Sequence, residues 1–199
     1  MQIILFLVGV VLLNFSAAHS QVARLAQHGS GTLDIEAGPG DTLLIDLSAE
    51  LGRYQAAGVT IYLQVSDGFR VLNDESAGGP FVPGDLFEGG LIVRNQEVSH
   101  GLVDLPAGNR LLEFTTLLGP SATPRGRGGS GSIACFRVLC ERIATGDIRI
   151  FRSPLHESRV VLEDGRTEKT LLLAPPVHIK VDRDTAVPAT PWGLLKSQR

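Results

Sequence analysis

Asp41 to Leu72 reads DTLLIDLSAELGRYQAAGVTIYLQVSDGFRVL and holds two strand-like runs joined by a polar connection. In the second run Val59, Ile61, Leu63 and Val65 alternate with Thr60, Tyr62, Gln64 and Ser66. A period of two puts the aliphatic side chains on one face and the polar ones on the other. β-Branched and aromatic residues favour such a pleated surface. The first run repeats the pattern less cleanly, with Leu43, Ile45 and Leu47 set against Thr42 and Asp46. Gly52, Ala56, Ala57 and Gly58 interrupt any long helix between them. The stretch therefore predicts two half-buried strands that share one apolar core.

Working outward, Gly31 to Ala37 alternates as an earlier strand, and Gly38-Pro39-Gly40-Asp41 is a turn. Gln21 to Ser30 carries no clear pattern and reads as a loose leader. Phe69, Val71 and Leu72 are core candidates after the Asp67-Gly68 bend. Ser76 to Gly90 is loop-rich, its Phe residues covering a sheet edge. Short strands are expected over Leu91 to Arg94 and Gly101 to Leu105. Asn109 to Leu118 puts Leu112, Phe114 and Thr116 on one face. A long polar loop, Gly119 to Gly131, precedes a strand with Ala134, Phe136, Val138 and Cys140 on one side. Four further strands span Asp147 to Arg152, Arg159 to Leu162, Lys169 to Leu173 and Val177 to Val181. Glu163-Asp164-Gly165-Arg166 is a natural hairpin turn. Many short strands, frequent turns and no long helix predict an all-β, two-sheet β-sandwich with jelly-roll topology.

The 199 residues suffice for one domain with a proper core. A net charge of −3 provides no global basic field to draw the chain onto nucleic acid or anionic lipid. Ile3 to Leu13 is an apolar run too short to span a bilayer, and the small residues Ser16-Ala17-Ala18 follow it. That is the pattern of a signal peptide, with cleavage after Ala18 or after Ser20. The expected organisation is a signal peptide at 1–20, a leader at 21–30, the sandwich at 31–181, and a linker and tail at 182–199 bearing Trp192. A secreted, periplasmic or cell-surface location follows, with no membrane span in the mature chain. Cys135 and Cys140 lie in one predicted strand, roughly 16 Å apart if extended, beyond disulfide reach. One core cysteine and one surface thiol are expected.

Several motifs carry a resemblance. Gly40-Asp41-Thr42 leads into LLIDL, and AGVTIYLQVSDGFRVL spans Ala57 to Leu72. Pro83-Gly84-Asp85-Leu86-Phe87 follows, and Gly131-Ser132-Ile133-Ala134 precedes Phe136-Arg137-Val138. In this order and spacing they resemble a bacterial cohesin module, over roughly Gly31 to Val181. The RGRGGSG run at Arg125 to Gly131 departs from that pattern. The resemblance implies a non-catalytic sandwich, akin to cellulose-binding modules in fold, that docks a dockerin through a sheet face. It also implies a link to polysaccharide breakdown.

Catalytic signatures are weak. Gly126 to Gly131 formally matches G-x-G-x-x-G but precedes a strand, whereas a dinucleotide loop follows one and opens a helix. His28, His100, His156 and His178 sit in separate segments without metal-ligand spacing. No G-x-S-x-G elbow appears. Glu163, Asp164 and Glu168 cluster at a turn without the regular oxygen spacing of a calcium loop. No catalytic residue, metal or cofactor is therefore assigned, although a triad assembled in space is not legible from sequence. The expected binding residues are Thr60, Tyr62 and Gln64 on the outer face, with the Pro83 to Phe87 loop secondary. The expected partner is a dockerin-like protein; the alternative is a polysaccharide bound directly, with hydrolysis a third reading.

Overall fold

The computed structural model describes residues 21–99 and 105–183. Its strands, in chain order, are β1 (Val22–Gln27), β2 (Asp34–Ala37), β3 (Thr42–Glu50), β4 (Ala56–Val65), β5 (Phe69–Leu72), β6 (Phe81–Pro83), β7 (Leu91–Val98) and β8 (Arg110–Leu117). They continue as β9 (Ser130–Cys140), β10 (Ala144–Ile150), β11 (Arg159–Leu162), β12 (Glu168–Thr170), β13 (Leu172–Leu173) and β14 (Val177–Val181). No helix occurs among the described residues. The N-terminal apolar run, His100 and the Trp192 tail lie outside them, as does nearly all of the strand expected at Gly101 to Leu105.

Two sheets pack face to face. The smaller has the order β13-β1-β3-β9-β5, with β6 also on β9. In the larger, β4 is central, flanked by β8 and then β7 on one side. On its other side β11 and β10 follow one another, β11 pairing Ala56 to Thr60 and β10 pairing Leu63 to Val65. The order continues from β10 through β14 to β2. The inner faces meet over one core. From β4 it takes Val59, Ile61, Leu63 and Val65, each no more than 1% exposed, and from the facing sheet Ile45, Leu47, Ala134 and Val138. Phe81 lies between Phe114 and Phe136, with ring centroids 5.3 and 5.2 Å away.

Four expectations change. The leader is a strand: β1 pairs residue by residue with β3, from Val22 opposite Glu50 to Gln27 opposite Ile45. Its alternation is faint in sequence because one inward residue, Ala23, is small, while Val22 is only half-buried. The strand at Leu91 to Arg94 continues to Val98, as the sheet's exposed edge. The polar loop ends two residues early, because Ser130 and Gly131 pair with Glu50 and Ala49. The Pro83 to Phe87 loop turns inward, with Leu86 and Phe87 buried in the core. Phe69 is buried as expected, while Val71 and Leu72 are half-buried. Both cysteines are free, Cys140 in the core and Cys135 half-buried. Burial, reinforced by Asp41, pushes the Cys140 thiol up to about 11, and burial followed by the Asp46 charge raises that of Cys135.

Two outcomes follow. Leu25 is 2% exposed, so Leu25→Ala should cost about 2–5 kcal/mol in urea unfolding. An unchanged midpoint would restore the loose-leader reading. Both thiols hold their protons at pH 8, so native alkylation by iodoacetamide should be slow at Cys135 and absent at Cys140 until the fold opens. Mass spectrometry of tryptic peptides measures each.

Candidate functional site: the outer face of the larger sheet

The even positions of β4 turn away from the core. Register then sets their neighbours. Thr60 lies opposite Thr115 on β8 and Arg159 on β11. Tyr62 lies opposite Glu113, and Gln64 opposite Leu111 on β8 and Arg149 on β10. The edge strand β7 adds Arg94 beside Thr115, Gln96 beside Glu113 and Val98 beside Leu111.

Tyr62 is held from several sides. Its hydroxyl donates to Glu113 Oε1 at 3.2 Å, and Gln96 Nε2 donates to the other carboxylate oxygen at 3.1 Å. Beside them Thr115 Oγ1 donates to Thr60 Oγ1 at 3.1 Å. The His156 ring meets the Tyr62 ring edge to face, with centroids 5.0 Å apart and planes at 85°. Edge-to-face packing suits the quadrupoles of aromatic rings. Burial, then the Glu113 charge and its hydrogen bond, raise the phenol above its usual value.

His156 comes from a flap. β10 ends opposite Leu63 and β11 begins opposite Thr60, yet residues 151–158 intervene. They rise as a small hairpin in which Arg152 bridges Glu157, with their side chains ion-paired at 2.8 Å. Ser153 and His156 exchange backbone hydrogen bonds of 2.9 and 3.2 Å. At the tip Leu155 is 80% exposed. The hydrogen bonds that a continuous strand would give Tyr62 are made at the flap's base. There Phe151 N donates to Tyr62 O at 2.7 Å, and Tyr62 N donates to Ser158 Oγ at 3.0 Å.

The three expected binding residues thus share one face, with one difference. Thr60 and Tyr62 are partly open, whereas Gln64 is 4% exposed. Its Nε2 is buried without a hydrogen-bond partner. Alternation alone missed this, because burial on an outer face depends on neighbours such as Leu111, itself 1% exposed. Leu155, His156 and Ser158 were also missed; the gap between the strands expected at Asp147 to Arg152 and Arg159 to Leu162, with Pro154 in it, was the available sign.

Other candidates separate in space. His28 Nδ1 pairs with Asp46 at 2.9 Å on the smaller sheet, in a cleft of about 370 Å³ that Ser48 and Ser132 also line. Asp46 is the partner of the His28 ring there, and neither serine shares a hydrogen bond with it. His178 Nδ1 pairs with Asp147 at 2.6 Å. Asp164 closes its turn by accepting hydrogen bonds from the Arg166 and Thr167 amides and the Thr167 hydroxyl. Those bonds hold its carboxyl down at about 2. Glu168 pairs with Arg159. No group of three or more metal-ligating side chains occurs among the described residues.

The arrangement of both sheets can be matched to solved structures. A type II cohesin domain from the cellulosome of Acetivibrio cellulolyticus superposes with a TM-score of 0.59 at 11% identity, over 80% of this chain and 95% of that one. The second type II cohesin module of a scaffoldin from the same organism gives 0.56 at 9% identity, over 79% and 90%. A chain of a type I cohesin–dockerin complex from Clostridium thermocellum gives 0.55 at 11% identity, over 82% and 99%. The chain has the cohesin fold. No family model and no curated protein sequence matches it. Within the cohesin fold, the face built around Tyr62 belongs to the β7-β8-β4-β10 side of the larger sheet.

Tyr62 ionisation should report this packing. Glu113→Gln removes the neighbouring charge, so the phenol should titrate at lower pH than in the parent chain, read by absorbance near 295 nm. The folded phenol holds its proton more tightly than the unfolded one. The associated stability is therefore complete below pH 10 and lost as pH rises through the folded value. An identical titration in both proteins would mean that Glu113 does not face Tyr62 in solution.

Proposed function

We propose that the chain is an exported, non-catalytic docking module that binds a dockerin-like protein through the outer face around Thr60, Tyr62 and Gln64. The observation that carries the reading is the fixed aromatic at the centre of that face, beside an apolar side chain lifted into solvent by the flap. Tyr62 is ordered before any partner arrives, so little side-chain entropy remains to be lost on binding. Leu155, at 80% exposure, is the kind of side chain a partner pocket would cover. A chain from a cohesin–dockerin complex is among the structures of similar fold, which supports this kind of partner. Fold by itself does not assign function, so the weight rests on the face.

Export rests on the Ile3 to Leu13 segment. N-terminal sequencing of protein recovered outside the cytoplasm should begin at His19 or Gln21. Retention of Met1 would remove that part of the reading. A connection to polysaccharide breakdown would come through the partner, since a single half-open tyrosine is a small platform for stacking sugars.

The docking test uses the chain from Gln21 to Arg199 as bait. Calcium-loaded type I and type II dockerins and the producing cell's own secreted fraction pass over it, with and without chelator. Insoluble cellulose, chitin and xylan are tested in parallel. Chelator-sensitive capture is expected, with Tyr62→Ala and Leu155→Asp each weakening it about tenfold or more. Glycan retention without a captured protein would replace docking by direct carbohydrate binding. Capture indifferent to both substitutions would move the site off this face.

A further inference from the structure

The carboxylates around Tyr62 are already engaged. Glu113 serves Tyr62 and Gln96. Glu157 pairs with Arg152, Glu168 with Arg159, and Asp147 with His178. Two guanidinium groups on the same face have no carboxylate. Among the described residues, Arg94 donates only to the neighbouring carbonyl of Val93, at 3.3 Å. Arg149 is exposed and makes no ion pair among the described residues. Arg149 is also the cross-strand neighbour of Gln64, whose buried Nε2 lacks an acceptor. A buried amide N–H without a partner is rare in folded proteins. Here it stands beside an exposed guanidinium that makes no ion pair among the described residues, so two kinds of donor adjoin each other on one face.

We propose that the partner bound on this face presents an aspartate or glutamate over Gln64 and Arg149, and that Arg94 receives a second acidic side chain. This rests on the docking reading above and adds the chemistry of the partner. A carboxylate can accept two parallel hydrogen bonds from one guanidinium, or share its oxygens between two donors. Seated over Arg149, it places one oxygen toward Gln64. A turn of the Gln64 amide about its last torsion would direct Nε2 to that oxygen. Buried Leu111 lies beside Gln64 on the side away from Arg149, and half-buried Val98 lies beyond Leu111, so Gln64 is shielded from water on that side. Removal of water strengthens a charge-assisted bond. Arg94 stands three strands from Arg149 and four residues along, a separation of about 19 Å from ordinary sheet spacings. Tyr62 lies between them. The partner surface would thus carry two acids on either side of an apolar or aromatic contact. The chain's net charge of −3 works against an acidic partner at long range, so the attraction is local to this face.

The experiment is selection of phage-displayed random 16-residue peptides on the immobilised chain from Gln21 to Arg199. The comparison baits are Arg149→Glu, Arg94→Glu and Tyr62→Ala. Near-ultraviolet circular dichroism and thermal midpoints of each variant check the fold; Arg94 and Arg149 are both exposed. The expected result is enrichment of Asp and Glu in peptides that compete at the Tyr62 face. Their affinity should fall about tenfold to hundredfold on Arg149→Glu, by less on Arg94→Glu, and progressively between 0.05 and 0.5 M NaCl. Peptides that need Tyr62 but carry no excess of acid, and ignore Arg149→Glu, would overturn the acidic partner and leave the docking face standing. Peptides that bind independently of Tyr62, or no enrichment at all, would overturn both. Arg149-dependent retention on polygalacturonate without acidic peptides would replace the protein partner by an acidic glycan.

Discussion

Every strand of the larger sheet takes its position from β4. β8 pairs with it from Gly58 to Val65, while β11 and β10 share its other edge. Its odd residues are buried, so a slip of β4 by one residue against its neighbours would turn Ile61 and Leu63 to the outer face. Full burial of such a side chain is worth about 1.5–3 kcal/mol, and four in one strand make the register very difficult to slip. The outer face is the other half of the same constraint. Once the odd positions are committed to the core, Thr60, Tyr62 and Gln64 must lie together on the opposite side. Gly58 shows how tightly the neighbours close in, since a Cβ there would fall 2.3 Å from Leu117 Cδ2.

Sandwich architecture was legible because it depends on this alternation. Val59 to Val65, Leu112 to Thr116 and Ala134 to Cys140 all show a period of two, and the inward positions of each are buried as that period requires. β1 was not legible. Ala23 contributes little hydrophobic contrast, and the strand is stabilised by ladder hydrogen bonds to β3 that leave no trace in composition. The Pro83 to Phe87 loop looked like a surface feature because Pro, Gly and Asp dominate it. Its direction is set by long-range contacts, with Asp85 accepting the Ser132 amide at 2.8 Å and Leu86 N donating to Ser132 O at 2.8 Å. Those bonds turn Leu86 and Phe87 inward, a pairing that no local pattern encodes.

The candidate site divides the same way. The shared face of Thr60, Tyr62 and Gln64 follows from parity and was readable. Which of them is open to solvent is a property of the neighbours. Gln64 is closed although its position in the pattern matches that of Tyr62. His156 enters the site through a hairpin between two segments of one edge. Its ring reaches a residue 94 positions earlier in the chain, and no spacing rule connects the two.

The flap resolves a conflict between regular pairing and a projecting surface. A continuous strand beside β4 would satisfy its backbone at Tyr62 and would leave the face flat. Looping out residues 151–158 raises Leu155 above the sheet but removes ladder partners from β4. An unpaired buried backbone group costs about 1–3 kcal/mol. Phe151 N and Ser158 Oγ take up the two positions at Tyr62, and Ser158, 1% exposed, accepts there as a main-chain carbonyl would. Replacing that serine by alanine would orphan the Tyr62 amide while leaving the flap's own Arg152–Glu157 pair intact. The Ser158 hydroxyl thus joins the backbone of Tyr62 to the base of the flap that carries Leu155. The fold keeps its hydrogen bonds complete at Tyr62, the point where it departs from a plain sheet.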